Sequence, residues 1–119
     1  MKTFKELIVW QKSHILVLNI YKITKSFPKE ELYGLCSQVR RSASSIPTNI
    51  AEGFKRSSTK DYLHFLNIAD ASLEETKYHI LLGYDLGYLT AENYNLLNCE
   101  CEEIGRMLCG LQKKLSLRK

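Results

Sequence analysis

The chain has 119 residues, a formal net charge of +4 and four cysteines, and 45% of its residues are hydrophobic. This length suits one domain over residues 1–119, and such a chain buries about two-thirds of its unfolded surface without a disulfide or a metal ion. The ordinary hydrophobic content disfavours disorder, and no apolar run reaches the roughly 20 residues that span a membrane. We therefore expect a cytoplasmic globular protein without a cofactor.

The first predicted helix runs from about Lys5 to Thr24. Its inward-facing side chains recur at helical spacing in two stripes: Leu7, Trp10, His14, Val17, Tyr21 and Thr24 in one, and Phe4, Ile8, Ile15 and Leu18 in the other. A helix that is apolar on two sides contacts two neighbours. Trp10 is expected to anchor the core, and His14 is expected to be a packed histidine rather than a ligand.

The second predicted helix begins near Pro28, which suits a first helical position, and ends at Gly53, which suits a C-terminal cap. Glu30 and Glu31 would then lie in its first turn, where carboxylates complement the helix dipole. Its inward face comprises Leu32, Leu35, Val39, Ala43, Ile46 and Ile50. The apolar period continues past Pro47, so we expect a continuous helix with a kink.

The opposite face of this helix carries mostly short polar side chains. This polar stripe comprises Gln38, Arg41, Ser45, Asn49 and Glu52. Short polar side chains lose little rotamer entropy when ordered and can hydrogen-bond to one another. The stripe is either a solvated outer face or a second contact surface. In the leading hypothesis, a subunit contact or the helix kink is shaped by Gln38, Ser45, Asn49 and Glu52.

Two further helices follow a connection over residues 54–57. Ser58 and Asp61 form an S-x-x-D cap that opens the third helix, and Gly87 is expected to end it. Thr90 caps the fourth helix, whose apolar heptad seam comprises Tyr94, Leu97, Cys101, Ile104, Leu108, Leu111 and Leu115. No strand pattern appears in the sequence. The chain is therefore predicted to be all-α, an antiparallel up-down-up-down four-helix bundle.

The segment Q-V-R-R-S-A-S-S-I-P-T-N-I-A-E-G, residues 38–53, resembles the signature of the four-helix-bundle proteins encoded in intervening sequences of 23S rRNA genes. Further matches occur in the same order at Leu7, Trp10, Phe27, Pro28, Glu31, Gly34, Leu35, Phe65, Leu66, Ala69, Ser72, Leu73, Glu75, Leu86, Gly87 and Tyr88. That family is related to the accessory variability determinant of diversity-generating retroelements. The resemblance implies a barrel-shaped homopentamer, and in the retroelement relatives the barrel is basic, binds nucleic acid and associates with a reverse transcriptase.

The sequence lacks the common catalytic and metal-binding motifs. No nucleophile elbow, Walker loop, dinucleotide-binding glycine motif or zinc-protease motif occurs. A di-iron bundle needs Glu-x-x-His on two helices, whereas the nearest match, Asp61 to His64, occurs once. The four cysteines form no C-x-x-C pair and are expected to be buried free thiols. An enzyme is the least favoured class, and it would require a deep polar pocket around Arg41 and Glu52.

Charge is distributed unevenly along the chain. Residues 1–60 carry eleven lysines and arginines against four acidic residues, whereas residues 61–119 carry six against nine. A basic zone of this kind attracts phosphate backbones without reading sequence. The expected phosphate contacts lie in and after the signature, at Arg40, Arg41, Lys55, Arg56 and Lys60. A basic tail over residues 113–119 is interpreted as the counter-charge of a helix C-terminus.

The leading hypothesis is a homo-oligomer, a pentamer by the resemblance, that binds RNA or DNA nonspecifically as an accessory protein. A contact between the basic half of one subunit and the acidic half of the next would be heterologous, and such contacts can close into a ring. The alternative is a structural or protein-interaction ring without a nucleic-acid role. A reverse transcriptase is a partner by family analogy alone.

Overall fold

A computed structural model describes residues 1–118; Lys119, the last residue of the basic tail, lies outside this range. The helices are α1 (Ile8–Thr24), α2 (Leu35–Phe54), α3 (Thr59–Asp85) and α4 (Ala91–Ser116). Each helix packs against the next, and α1 also packs against α4, so the four surround one core. The described range contains no strand. The predicted all-α four-helix bundle is confirmed, and it measures 47 × 23 × 20 Å.

One stripe of each later helix fills the core as the sequence predicts. The buried residues of α2, α3 and α4 include Val39, Ala43, Ile46, Ile50, Leu66, Ala69, Leu73, Ile80, Leu97, Cys101, Ile104, Leu108 and Leu115. The heptad seam of α4 is confirmed, since its members Leu97, Cys101, Ile104, Leu108 and Leu115 are buried. Its other two members, Tyr94 and Leu111, are half-buried against the core. Each buried aliphatic side chain of this kind stabilises the fold by about 1.5–3 kcal/mol.

The buried face of α1 coincides with neither predicted stripe. The first stripe was right in part, because Thr24 is buried and Leu7, Trp10 and Val17 pack at the edge of the core, whereas Ile8, Ile15 and Leu18 of the second stripe are exposed. The core residues of α1 are Val9, Leu16 and Ile20, together with the hydroxyl residues Ser13 and Thr24. The two hydroxyls donate to the carbonyl oxygens of Val9 at 2.7 Å and Ile20 at 2.6 Å. Helix carbonyls therefore satisfy polar groups in the core, and the apolar period is hidden in the sequence.

Trp10 and His14 also differ from their predicted roles. Trp10 is half-buried at the edge of the core, and its ring contacts Phe4 edge-to-face with centroids 5.0 Å apart. His14 is exposed rather than packed in the interior, and its ring stacks on Trp10 with centroids 5.1 Å apart. The two aromatic side chains therefore lie on the outer surface between α1 and α2.

Helix α2 begins later than the sequence predicts. A 3-10 turn over residues 29–31 follows Pro28, and the α-helix starts only at Leu35. The backbone N–H of Leu35 donates to Glu31 Oε1 at 3.0 Å. Glu31 therefore caps the helix from outside instead of lying in its first turn. Leu32 is 48% exposed and does not belong to the core.

Helix α2 continues without a break through Pro47, as the unbroken apolar period predicts. The Thr48 hydroxyl donates to the carbonyl of Ser44 at 2.8 Å, and Asn49 Nδ2 donates to the carbonyl of Ser45 at 2.8 Å. These side-chain bonds strengthen the turn that the proline weakens by lacking an N–H.

Gly53 lies inside α2, and the prediction that it forms a left-handed terminus was wrong. A Cβ atom at this position would lie 2.9 Å from Tyr62 Cδ1 and 3.0 Å from Phe65 Cβ. The missing side chain therefore allows the last turn of α2 to approach the first turns of α3. Gly87 does have a left-handed conformation, with φ +82°, which confirms the predicted end of α3.

Side-chain caps open the last two helices as predicted. Ser58 Oγ accepts the backbone N–H of Asp61 at 3.1 Å, and Thr90 Oγ1 accepts that of Asn93 at 3.1 Å. Helix α1 instead begins after a separate 3-10 turn over residues 4–6, so it starts a few residues later than predicted.

Candidate nucleic-acid interface

The five cations expected to contact phosphates do not form one cluster. Arg40 and Arg41 lie in the second turn of α2, whereas Lys55 follows its last residue. A helix rises 1.5 Å per residue, so Arg40 lies about 22 Å from Lys55 along the axis. Arg56 and Lys60 belong to the same end of the bundle as Lys55. Residues close in sequence were therefore wrongly grouped, because a rigid helix separates them.

Arg40 is used by the fold itself. Its Nε donates to Thr24 Oγ1 at 3.0 Å, and its Nη2 donates to the carbonyl of Tyr21 at 3.3 Å. The guanidinium also lies over the Tyr21 ring, 4.7 Å from the centroid. A cation at the C-terminus of α1 complements the negative end of the helix dipole. Arg40 therefore joins α2 to α1.

Arg41 is engaged by side chains around it. Its Nη2 donates to Gln38 Oε1 at 3.1 Å and forms an ion pair with Glu75 of α3. The same carboxylate lies 3.6 Å from His79 Nε2. The Arg41 charge is thus largely balanced within the chain, although its side chain is exposed.

The middle of the polar stripe faces α3 of the same chain. Ser45 Oγ lies 2.9 Å from Ser72 Oγ, and Asn49 Nδ2 donates to Ser45 Oγ at 3.0 Å. Ser45 and Asn49 are half-buried, whereas Gln38 and Glu52 at the two ends are exposed. The stripe is therefore not simply solvated: its centre is an intramolecular contact between two helices.

A hydroxyl network continues this contact into the core. Thr76 Oγ1 donates to Ser42 Oγ at 2.9 Å, and Ser42 Oγ lies 3.2 Å from His79 Nδ1. Burial lowers the pKa of His79, and the Glu75 carboxylate opposes that shift. Ser42, His79 and Glu75 follow the order of a hydrolytic triad, but Ser42 is 1% exposed and inaccessible to a substrate. The network therefore serves helix packing.

Three distant segments of the chain meet at one end of the bundle: residues 1–7, 52–61 and 112–118. Lys2 and Lys55 line one groove. Burial raises the pKa of Tyr62, and the nearby charge of Arg118 opposes this shift. The up-down order of four helices brings the N-terminus, the α2–α3 connection and the C-terminus of α4 together.

This end, which we call the basic end, is strongly cationic. Its exposed cations are Lys2, Lys5, Lys55, Arg56, Lys60, Lys113, Lys114 and Arg118, against the acidic residues Glu6, Glu52 and Asp61. Within residues 1–118, Arg56 is the only one of these cations with a side-chain carboxylate within 4 Å, that of Glu52 at 3.3 Å. The predicted up-down topology already implied this convergence, although the basic tail alone was interpreted as the counter-charge of a helix C-terminus.

The opposite end of the bundle is close to neutral. Its two connections, residues 22–34 and 84–95, contain three lysines and four acidic residues. Glu31 accepts the Leu35 N–H and also the Tyr88 hydroxyl at 2.9 Å. These two hydrogen bonds lower the pKa of the Glu31 carboxyl, the backbone bond having the larger effect.

An open apolar groove of about 670 Å³ adjoins the basic end, between α1 and the C-terminal half of α2. Its apolar lining comprises Phe4, Trp10, Val17, Pro47, Ala51 and Phe54. Glu52 is among its lining residues, whereas Arg41 is not. This groove is mainly apolar, so it is not the deep polar pocket around Arg41 and Glu52 that an unrecognised enzyme would need.

Residues 1–118 contain no group of three or more His, Cys, Asp or Glu side chains placed to hold a metal ion. Cys36 and Cys101 are buried free thiols as predicted, and burial raises the pKa of Cys101 to about 12. Cys99 and Cys109 are exposed, so the prediction was wrong for these two. None of the described helices could cross a bilayer, given their lengths and polarities.

Comparisons with known proteins agree with the resemblance in the signature. The sequence model of the 23S rRNA-intervening sequence protein family matches residues 5–110. A crystal structure of a protein of unknown function, from the S23 ribosomal protein family of Bacteroides thetaiotaomicron, is similar with a TM-score of 0.83. The two chains are 31% identical over 89% of this chain and 96% of that one. Among curated proteins, none matches the chain.

Proposed function

Because the chain belongs to the 23S rRNA-intervening sequence protein family, we propose that it is a non-enzymatic, oligomeric accessory protein that binds RNA or DNA through its basic end. The observation that carries this proposal is the convergence of eight exposed cations from three chain segments with only three carboxylates among them. Such a surface attracts phosphates of either nucleic acid and does not read base sequence.

The proposed phosphate contacts differ in part from those expected from the sequence. Lys55, Arg56 and Lys60 remain, and the N-terminal lysines and the α4 tail join them. Arg40 and Arg41 are left out, because their guanidinium groups join α2 to α1 and to α3, whereas Arg56 pairs with Glu52 one helical turn away.

A ring of identical subunits would strengthen this binding. Several basic ends in one assembly raise the effective concentration of cations around one nucleic acid. Exposed apolar side chains on α1 support assembly, because Ile8, Ile15 and Leu18 are 52%, 46% and 54% exposed. We propose a homopentamer, by analogy with the resembling proteins, and a reverse transcriptase as a partner on the same analogy. The same apolar face also fits a structural ring without nucleic acid.

Fluorescence anisotropy with a labelled RNA tests the nucleic-acid role. About five phosphate contacts to a single strand predict a logarithmic salt slope of about −3.5, so that binding weakens about 100-fold between 50 and 200 mM salt. Reversing two charges in Arg56→Glu/Lys60→Glu should weaken binding at least about 10-fold at low salt.

The matched control reverses two exposed lysines at the opposite end, in Lys25→Glu/Lys29→Glu. Both double variants change the net charge equally, so a general charge effect would weaken both alike. Light scattering on the same samples reports subunit number, which neither variant is expected to change. Absence of RNA binding at low salt, with an intact ring, would favour the purely structural alternative.

A further inference from the structure

We propose that the apolar groove beside the basic end receives unpaired bases, so that the ligand is single-stranded rather than duplex nucleic acid. This inference rests on the proposed function and names the form of nucleic acid that the site takes. The groove is an exposed apolar surface about 16 Å long, judged from the eleven helical steps between Ser44 and Lys55. Apolar side chains next to cations without a carboxylate partner in the described range fit an amphipathic ligand.

The cations at the mouth of the groove would contact the anionic groups of such a ligand. Lys2 and Lys55 line the groove and are exposed, whereas the one lining carboxylate among the described residues, Glu52, forms an ion pair with Arg56. Lys5 and Lys60 continue the positive surface beyond them. A single strand has phosphates along one side and flat apolar base faces along the other. In a duplex the base faces are stacked inside, and only the phosphates remain available to this surface.

The aromatic side chains of the groove fit bases better than they fit an aliphatic tail. Phe4, Trp10 and Phe54 line it, with the imidazole of His14 stacked on Trp10. Stacking on such rings tolerates any base, because every base has a π-face.

The two hydroxyls that α2 places on the groove wall offer little for sequence readout. The Ser44 hydroxyl donates to the carbonyl of Arg40 at 2.9 Å, and the Thr48 hydroxyl donates to that of Ser44 at 2.8 Å. Their protons are thus used within α2 and are not free to donate to base edges. Binding in this groove should therefore depend on the presence of bases and only weakly on their identity.

Trp10 is the single tryptophan of the chain, so intrinsic fluorescence reports on the groove directly. The full-length protein is titrated with a twelve-residue oligouridine, with an abasic strand of equal length and charge, and with an RNA duplex. We expect oligouridine to bind about 10-fold more tightly than the abasic strand and to quench Trp10, whereas the other two probes leave its emission unchanged.

Filling the groove provides a second test. Ala51→Leu should remove the 10-fold preference for oligouridine and leave abasic binding unchanged. The matched control, Ala71→Leu, adds the same side chain on the exposed outer face of α3 and should keep the preference. Thermal melting checks that both variants are folded, and the wild-type comparison of probes does not depend on either.

The outcomes separate this inference from the proposed function. Equal affinity for the abasic strand and oligouridine, without quenching, would overturn the groove inference while the nucleic-acid function stands. No binding of any probe at low salt would overturn the function as well. A Trp10 emission change that depends on protein concentration alone would show a second copy in the groove and would also overturn the inference.

Discussion

The two ends of the bundle use their charged side chains differently. At the near-neutral end, Glu31 accepts a helix N–H and a tyrosine hydroxyl, and Arg40 donates to Thr24 and to the end of α1. At the basic end, close contact between α2 and α3 at Gly53 holds the helices together. Most cations there face solvent without a carboxylate partner in the described range. The charges available to a ligand are thus those that the fold does not use.

The largest expected effect comes from breaking the close contact at the basic end. Gly53→Val would place atoms against Tyr62 and Phe65, and overpacking of this kind lowers the free energy of unfolding by about 3 kcal/mol. Urea denaturation monitored by circular dichroism measures the change.

Gly110→Ala is the control, because a Cβ atom at this exposed helical position has no neighbour within 4 Å. It should raise the free energy of unfolding by about 0.5–1 kcal/mol through helix propensity alone. If Gly53→Val were as harmless as this change, close helix contact would not be what holds the basic end.

A smaller effect is expected from neutralising one cation at each end. Arg40→Gln removes hydrogen bonds to Thr24 and Tyr21, and should lower the free energy of unfolding by about 1.5 kcal/mol. Lys55→Gln removes an exposed charge and should change it by less than about 0.5 kcal/mol. Thermal melts of both variants measure these changes. If Arg40→Gln and Lys55→Gln lowered the free energy of unfolding equally, the proposed difference between the two ends would be contradicted.

The smallest expected effect is a pH dependence carried by Glu31. Hydrogen bonds in the folded state lower the pKa of this carboxyl below its unfolded value of about 4.3. Its contribution to stability is therefore present above pH 4.3 and is lost as the pH falls through the lower folded pKa. Glu31→Gln should destabilise the protein at pH 7 and matter less at pH 3, as measured by denaturation at both pH values.

Glu6 provides the comparison at the basic end, where it is a charged group that the fold uses. Backbone N–H groups of Thr3 and Lys2 lower its pKa in the same direction. Glu6→Gln should show the same sign of pH dependence but should act on the 3-10 turn ahead of α1. A carboxyl-directed NMR titration of the wild type that found either pKa above its ordinary value would contradict this account.

Much of the fold follows from local sequence signals. The heptad seam of α4, the caps at Ser58 and Thr90 and the terminus at Gly87 each depend on residues close in the chain, and they were predicted correctly. The core face of α1 was predicted only in part, because Ser13 bonds to a helix carbonyl and occupies a core position that looks polar. The start of α2 was missed because Pro28 begins a 3-10 turn instead of an α-helix.

The candidate site depended on contacts that local signals do not contain. The grouping of Arg40 with Lys55 was wrong, because the α-helix between them places the two residues about 22 Å apart along its axis. The partners of Arg40 and Arg41 lie on other helices, so their structural roles could not be predicted from the signature. The remaining cations of the basic end required the topology together with the positions of both chain termini.

The short connection between α2 and α3 is fixed on both sides, by the Gly53 contact before it and by the Ser58 cap after it. The guanidinium of Arg56 within it also lies 4.5 Å from the centroid of the Phe65 ring. A phosphate arriving at this connection would find its partner preorganised and would not have to order a loose loop. The entropic cost of association is lower in such a case, so affinity is gained from rigidity without any additional contact.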